Sequence, residues 1–201
     1  MPISDCEVRD PRIRRTRQLL QSALSSLLQV KSFEEISVHD ITETATVNRA
    51  TFYDHYADKF GLLDALIAGG FHKLLAERQV QFDGGCPSAA SAIIRAACDY
   101  IVQIHDGAPD RSCGPSAFEP LLDAAITSAI RRVLLVGMNN YPAQDAVSPE
   151  IRSSAASWAI FGAIKAWFAS PVRKEANEIV PTILALVLPI LESPARSPQI
   201  Q

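Results

Sequence analysis

Sustained alternation of apolar and polar residues, the mark of a half-buried strand, is missing throughout this sequence. Also missing is any uninterrupted run of about 18 apolar residues. The amino terminus MPISDCEVRD lacks the basic-then-apolar order of a secretory leader. These absences argue against a strand-built domain and a membrane span, and they set the expectation of a cytoplasmic protein. Cysteine is sparse: Cys6, Cys86, Cys98 and Cys113 lie far apart with no Cys-x-x-Cys pair, which points to neither a zinc cluster nor a disulfide framework. The reading is ordinary reduced thiols, with a redox-sensing Cys113 as the sharper alternative. His39, His55, His72 and His105 are scattered, no serine or cysteine stands in a nucleophile motif, and no phosphate-cradling glycine loop or metal-ligand pair is present. An enzyme is therefore not expected, nor a cofactor or a metal. An excess of positive charge is lacking too. The formal net charge of -3 speaks against a protein that coats nucleic acid nonspecifically, although a local basic face stays open.

What is present is apolar residues at helical spacing, in a chain of 201 residues whose 48% hydrophobic content is ample for a core. The fold class expected is all-α. A first helix follows Pro11 and carries Leu19, Leu20, Ala23, Leu24, Leu27 and Leu28 on one stripe, behind the cations Arg12, Arg14, Arg15 and Arg17. Ser37 followed by Asp40 reads as a capping box opening a short helix to about Ala45. Asn48 reads as the cap of another. A longer helix runs from near Asp58 towards Gln81, where FDGGCPS breaks it. Further helices are expected over Ser88 to His105, Ser116 to Met138, Pro149 to Ala169 and Pro171 to Leu191. The last two are each announced by a Ser-Pro start. The tail SPARSPQIQ has two prolines and little apolar content, so disorder is expected over 193–201.

Against a chain that is only 7% aromatic, VNRATFYDHYADK from Val47 to Lys59 holds three aromatic residues, a histidine and two cations. With the preceding segment it spells a short helix, a tight turn at Thr46-Val47 and a second short helix, the layout of a helix-turn-helix. Ile41, Ala45, Val47, Phe52 and Tyr56 are spaced to lock the two helices together and onto the leucines of the first helix. Arg49, Thr51, Tyr53 and His55 are left on the other face. A helix end that offers donors to base edges, flanked by groups that grip phosphates, is what docking into a major groove requires.

The block TVNRATFYDHYADKFGLLDAL, with ISVHDITETA ahead of it, resembles the DNA-binding domain of the tetracycline-repressor (TetR) family of transcriptional regulators. The likeness covers roughly residues 12 to 66. It implies a DNA-binding domain over 1–57, an effector-binding and dimerisation domain over 58–192, and double-stranded DNA with a palindromic operator as partner. Carried over by position, Arg49 and Tyr53 are the expected base-edge contacts, with Ala50 against a thymine methyl and His39 reaching the groove. Thr51, His55 and Lys59 are the expected phosphate clamps. Tyr53 also fits a half-buried surface aromatic, and His55 a capping or packing role. The four arginines of the first helix fit either phosphate contact or a solvated basic end. Two positions depart from the family pattern. Thr46 stands where glycine is usual, which makes a strained or differently shaped turn the expectation, and Asp54 brings a negative charge near phosphates. Residues 1 to 60 hold eight Lys and Arg against nine Asp and Glu, so binding must come from placement rather than bulk attraction.

A single short reader cannot pick one site from a genome, so two copies are expected in a homodimer. IRSSAASWAIFGAIKAWFAS brings Ala155, Ala159, Gly162, Ala163 and Ala166 near one another, with area from Trp158, Phe161, Trp167 and Phe168. IVPTILALVLPIL is apolar nearly all round, as suits a subunit interface or a buried core helix. The resemblance implies a four-helix bundle between two chains. It also implies a small-molecule effector held by the middle helices, with Tyr100, Ile104, Phe118, Leu122, Trp158 and Phe161 as the expected lining. Glu119 and Asp123, four apart on one helix face, read as a solvated acidic face, with attraction of a cationic effector as the alternative. The function this implies is a DNA-binding regulator, a repressor by family habit. The alternative is a helical dimer of the same fold that has lost DNA binding, motivated by Asp54 and the acidic balance.

Overall fold

The computed structural model describes residues 10–82, 86–106, 118–140 and 147–192. Among these the chain forms α1 (Pro11–Leu27), α2 (Val38–Ala45), α3 (Arg49–His55), α4 (Lys59–Glu77), α5 (Pro87–Asp106), α6 (Phe118–Asn140), α7 (Pro149–Phe168) and α8 (Ala176–Leu191), with no strand. The fold class is all-α. No helix among the described residues is long and apolar enough to cross a membrane. Cys6, Cys113, the tail 193–201 and the Phe118 side chain lie outside the described residues.

Local chemistry starts and stops the first three helices. Asp10 accepts from the Arg12 amide at 2.9 Å, with Pro11 at the first helical position, where its missing N–H costs nothing. Both halves of the capping box at Ser37 are made: the Asp40 amide donates to the Ser37 hydroxyl at 3.1 Å and the Ser37 amide to the Asp40 carboxylate at 2.8 Å. Asn48 caps α3 by accepting from the Ala50 amide at 2.8 Å. The turn between α2 and α3 keeps the left-handed shape despite its side chain. Thr46 sits at φ 55, its amide donating to Glu43 O at 3.1 Å and the Val47 amide to Thr42 O at 3.0 Å, the paired bonds of a Schellman motif. A β-branched residue is thus held where glycine would rest without strain.

The chain packs as two compact units, Met1–Gly70 with Ile104–Ala125, and Phe71–Gln103 with Ile126–Gln201. In the first, α1, α2 and α3 pack on one another. Leu20 and Leu24 of α1, Phe33 and Ile36 of the connection, Ile41 and Ala45 of α2, and Phe52 and Tyr56 of α3 are all buried. Burying each large side chain stabilises the unit by about 1.5–3 kcal/mol. Leu19, expected on the same stripe, is exposed.

In the second unit α7 and α8 pack together, burying Ala156, Ile160, Ile164 and Trp167 on one and Val180, Ile183, Val187 and Leu191 on the other. Arg78 pairs with Asp99 at 2.6 Å, and the rings of Phe71 and Tyr100 lie 5.6 Å apart. Gly137 of α6 lies directly against the Phe82 backbone and ring, where a β-carbon would overlap both. Overpacking such a contact costs about 1–3 kcal/mol.

Two expected boundaries move. α4 stops at Glu77 rather than near Gln81, because Gln79 turns left-handed and the Gln79 and Val80 amides fold back onto Ala76 and Leu75 carbonyls. The last helix starts at Ala176, not Pro171. The Trp167 indole donates to the Lys174 carbonyl at 2.9 Å and the Arg173 guanidinium stands 4.8 Å from the Phe168 ring centroid, which holds 171–175 out of helix.

Two measurements test the caps and turn. Thr46→Gly should raise stability by about 0.5–1 kcal/mol, the relieved left-handed strain less the entropy glycine loses, read as a higher denaturant midpoint at unchanged slope. Asp40 is held down to about 2 from 3.8, first by the Ser37 hydroxyl and then by the Ser37 amide. A depressed carboxyl stabilises the fold above its unfolded value and loses that effect as pH falls through its folded one. The stability gap between wild type and Asp40→Asn should therefore be full above about pH 4 and should close towards pH 2, as followed by thermal melts along that series.

Candidate nucleic-acid interface

The seven residues of α3 are divided sharply between an inward and an outward face. Phe52 is 0% exposed and the cap residue Tyr56 is 5% exposed. Phe52 meets Tyr53 edge to face at 5.3 Å and Tyr56 at 6.0 Å. Tyr56 is itself tied to α1: its hydroxyl accepts from Gln21 Nε2 at 3.2 Å, and the Arg17 guanidinium lies 5.7 Å from its ring centroid. Arg17 is therefore engaged with the core edge, while Arg12, Arg14 and Arg15 are exposed.

Arg49, Ala50, Tyr53 and Asp54 are exposed on the outward face, with Thr51 and His55 half-buried beside them. Arg49 donates to the Tyr53 hydroxyl at 3.3 Å and lies 5.7 Å from that ring's centroid, so the two side chains expected to read bases form one group at i and i+4. His39 on α2 is exposed and stands 3.9 Å from the Glu43 carboxylate. His39, Arg49, Ala50, Thr51, Tyr53 and His55 thus all belong to α2 and α3 of the first unit, with no one of them fully buried.

Lys59, expected as a phosphate clamp, is engaged within its own chain. Its ammonium donates to three backbone carbonyls, Ile36 at 2.7 Å, Phe33 at 2.9 Å and Glu34 at 3.2 Å, and lies 4.7 Å from the Phe33 ring centroid. An ammonium has three protons, one for each of these carbonyls. Sequence reasoning missed this because the acceptors lie 23 to 26 positions away and are backbone atoms of residues with no signature of their own.

The expected effector-lining residues are spread over both units. Tyr100 and Phe161 are buried in the second unit, and Leu122 is buried and Ile104 half-buried in the first. Trp158 is 60% exposed on α7, so within one chain it does not line an interior pocket. Phe161 and Trp167, expected to supply interface area, are buried in their own unit instead. A residue not singled out before is His72 on α4, whose Nε2 is shut off from solvent with no hydrogen-bond partner. Burial first, and then the Arg132 cation, push this imidazole below its usual range, which favours the neutral ring.

Comparison with known proteins places the outward face in context. Residues 20–66 match the family model described as bacterial regulatory proteins, tetR family. An uncharacterized HTH-type transcriptional regulator, YxbF of Bacillus subtilis (strain 168), is 46% identical over 59 residues, 29% of this chain and 16% of that protein. The HTH-type dhaKLM operon transcriptional activator DhaS of Lactococcus lactis subsp. lactis (strain IL1403) is 32% identical over 60 residues, 30% of this chain and 32% of that one. The chain thus spans less than a third of the length of these curated relatives. Over nearly the whole chain the fold is similar to a TetR transcriptional regulator from Streptococcus agalactiae 2603V, with a TM-score of 0.52, 22% identity, and 90% and 98% of the two chains covered. It is also similar to RolR in complex with the ligand resorcinol, at 0.50 and 18%, covering 94% and 99%. Residues 20–66 thus carry the helix-turn-helix of the tetR family of bacterial regulatory proteins, on a chain whose fold resembles such regulators.

Proposed function

We propose that the protein is a sequence-specific DNA-binding transcriptional regulator, acting as a homodimer on a palindromic double-stranded operator and leaving it when a small-molecule effector binds. The observation that carries this reading is the division of α3. Phe52 and Tyr56 anchor it, while Arg49, Ala50 and Tyr53 face outward together. A paired guanidinium and phenol on a helix whose other face is locked suits direct reading of base edges, with guanine the natural partner of Arg49. Thr51, His55 and the exposed Arg12, Arg14 and Arg15 supply donors and charge for phosphates. Asp54 lowers the bulk attraction but does not touch the Arg49–Tyr53 pair. The reader domain resembles that of a curated activator, so the domain carries binding and not its sign. Repression follows where the operator overlaps a promoter and the bound dimer excludes polymerase.

The dimer reading is supported by α7. Ile151, Ala155, Trp158, Gly162 and Ala166 are exposed at intervals of three and four, one stripe of small residues around a 60% exposed indole. A β-carbon on Gly162 would meet nothing within 4 Å in its own chain, so the single chain gives no reason for glycine there. Close approach of a second helix does. On α8, Leu186 is exposed at 65% beside the exposed Pro181, Thr182, Ala185 and Pro189. For the effector, the second unit offers Tyr100 and Phe161 as large buried surfaces and His72 as an unanswered ring nitrogen. The similarly folded RolR is described with a small aromatic ligand. The effector acts by favouring one arrangement of the two readers over the other.

Selection from a random duplex pool should yield an inverted repeat. On that repeat Arg49→Ala should lose about 1–3 kcal/mol and accept more bases at one position of each half-site. Equal loss on every sequence would reassign Arg49 to phosphates, and failure of the wild type to select any sequence would end the regulator reading. Trp158→Glu should shift the protein from dimer to monomer in light scattering, with helix content unchanged. A monomeric wild type would remove the α7 interface.

A further inference from the structure

We propose that Lys59 is a positioning residue of the DNA reader, which fastens the start of α4 to the connection between α1 and α2 by capping three backbone carbonyls, and that it makes no phosphate contact. The inference rests on the regulator reading above and assigns Lys59 a task within it.

The geometry is complete in itself. The connection from Ser32 to Ile36 is a tight turn, closed by Glu35 N to Ser32 O at 3.1 Å and Ile36 N to Phe33 O at 3.3 Å. Its chain direction leaves the carbonyls of Phe33, Glu34 and Ile36 converging on one point. The Lys59 ammonium occupies that point and donates to all three at 2.7 to 3.2 Å. Phe33 and Phe60, packed edge to face at 5.5 Å, flank it with their rings at 4.7 and 5.9 Å from the nitrogen, so cation–π attraction adds to the hydrogen bonds. The turn leads straight into Ser37, the cap of α2. Whatever fixes Ile36 therefore fixes where α2 begins, and the Schellman turn at Thr46 passes that placement to α3. Release of the ammonium would remove three polar ties between the start of α4 and the connection that leads into α2.

A positioning role and a phosphate contact predict different salt behaviour. Each phosphate neutralised contributes about 0.9 to the slope of log affinity against log salt, so a lost contact makes that slope shallower. A misplaced reader loses base contacts, which carry little salt dependence. The full-length wild type, Lys59→Met and Lys59→Arg would be titrated with the selected operator and with a scrambled duplex at several salt concentrations. Lys59→Met is expected to lose about tenfold or more on the operator, the size of one lost base contact, with little change on the scrambled duplex and the slope preserved. Lys59→Arg is expected to fail in the same way, because a guanidinium holds its donors in a wide, planar fork that does not fit three carbonyls converging on one point.

A slope shallower by about 0.9 per subunit, with Arg restoring affinity, overturns the proposal in favour of a phosphate contact. Equal loss on both duplexes also overturns it, as a mere loss of folded protein. Should both variants fail to fold, the nitrogen resonance of the Lys59 ammonium in the wild type decides. It is expected to be visible through slowed proton exchange and unmoved by operator, whereas a shift on binding overturns the assignment. Wild type that selects no sequence overturns the regulator reading and this inference with it.

Discussion

Phe52 is fully withdrawn from water, and the outward face of α3 depends on it. A helix of seven residues is too short to persist alone, since nucleation is costly and two turns return few hydrogen bonds. Its order is imposed by Phe52 and Tyr56 seated against α1 and α2, and by Asn48 at its start. Because successive helical residues turn by about 100°, fixing those two aromatics fixes where Arg49 and Tyr53 point. The direction of this outward face is thus a consequence of core packing rather than of anything on the exposed surface of α3.

The same logic extends outward from the aromatic seat. Tyr56 is held by Gln21 and lies beneath Arg17, which draws one of the four amino-terminal arginines into the edge of the core and leaves the other three to solvent. Lys59 is drawn inward likewise, by carbonyls. With two cations employed internally and nine carboxylates among the first 60 residues, little positive charge is free to attract a polyanion at a distance. What this surface can hold then depends on where a few groups stand, which makes the rigidity of their support the quantity that matters.

What could be read from the sequence was what is local. The capping box at Ser37, the Asn48 cap, the Ser148-Pro149 start and the inward aromatics of α3 all depend on neighbours within a turn, and each stands where its spacing puts it. The left-handed turn at Thr46 was flagged by the absence of glycine, yet the structure keeps the shape and tolerates the side chain. What escaped depends on partners far along the chain or on which side of a helix is covered. Ser170-Pro171 has the letters of a helix start, but the Trp167 indole and Arg173 hold that segment otherwise. Lys59 has the letters of a phosphate clamp, and its bonds to distant backbone oxygens have no signature in the sequence. Trp158 and Phe161 sit three apart on one helix and face opposite surroundings, which composition alone does not distinguish.

Gly137 bears on how this sequence can drift. Its α-carbon rests on the Phe82 main chain with no gap for even one carbon more. Glycine is the smallest residue there is, so every single-residue change at this position adds volume and none removes it. Elsewhere in the unit a lost methyl in one place can be answered by a gained methyl in another; here the exchange has only one direction. The position behaves as a ratchet on divergence, and a homologue carrying a larger residue there must have moved its main chain near Phe82 first.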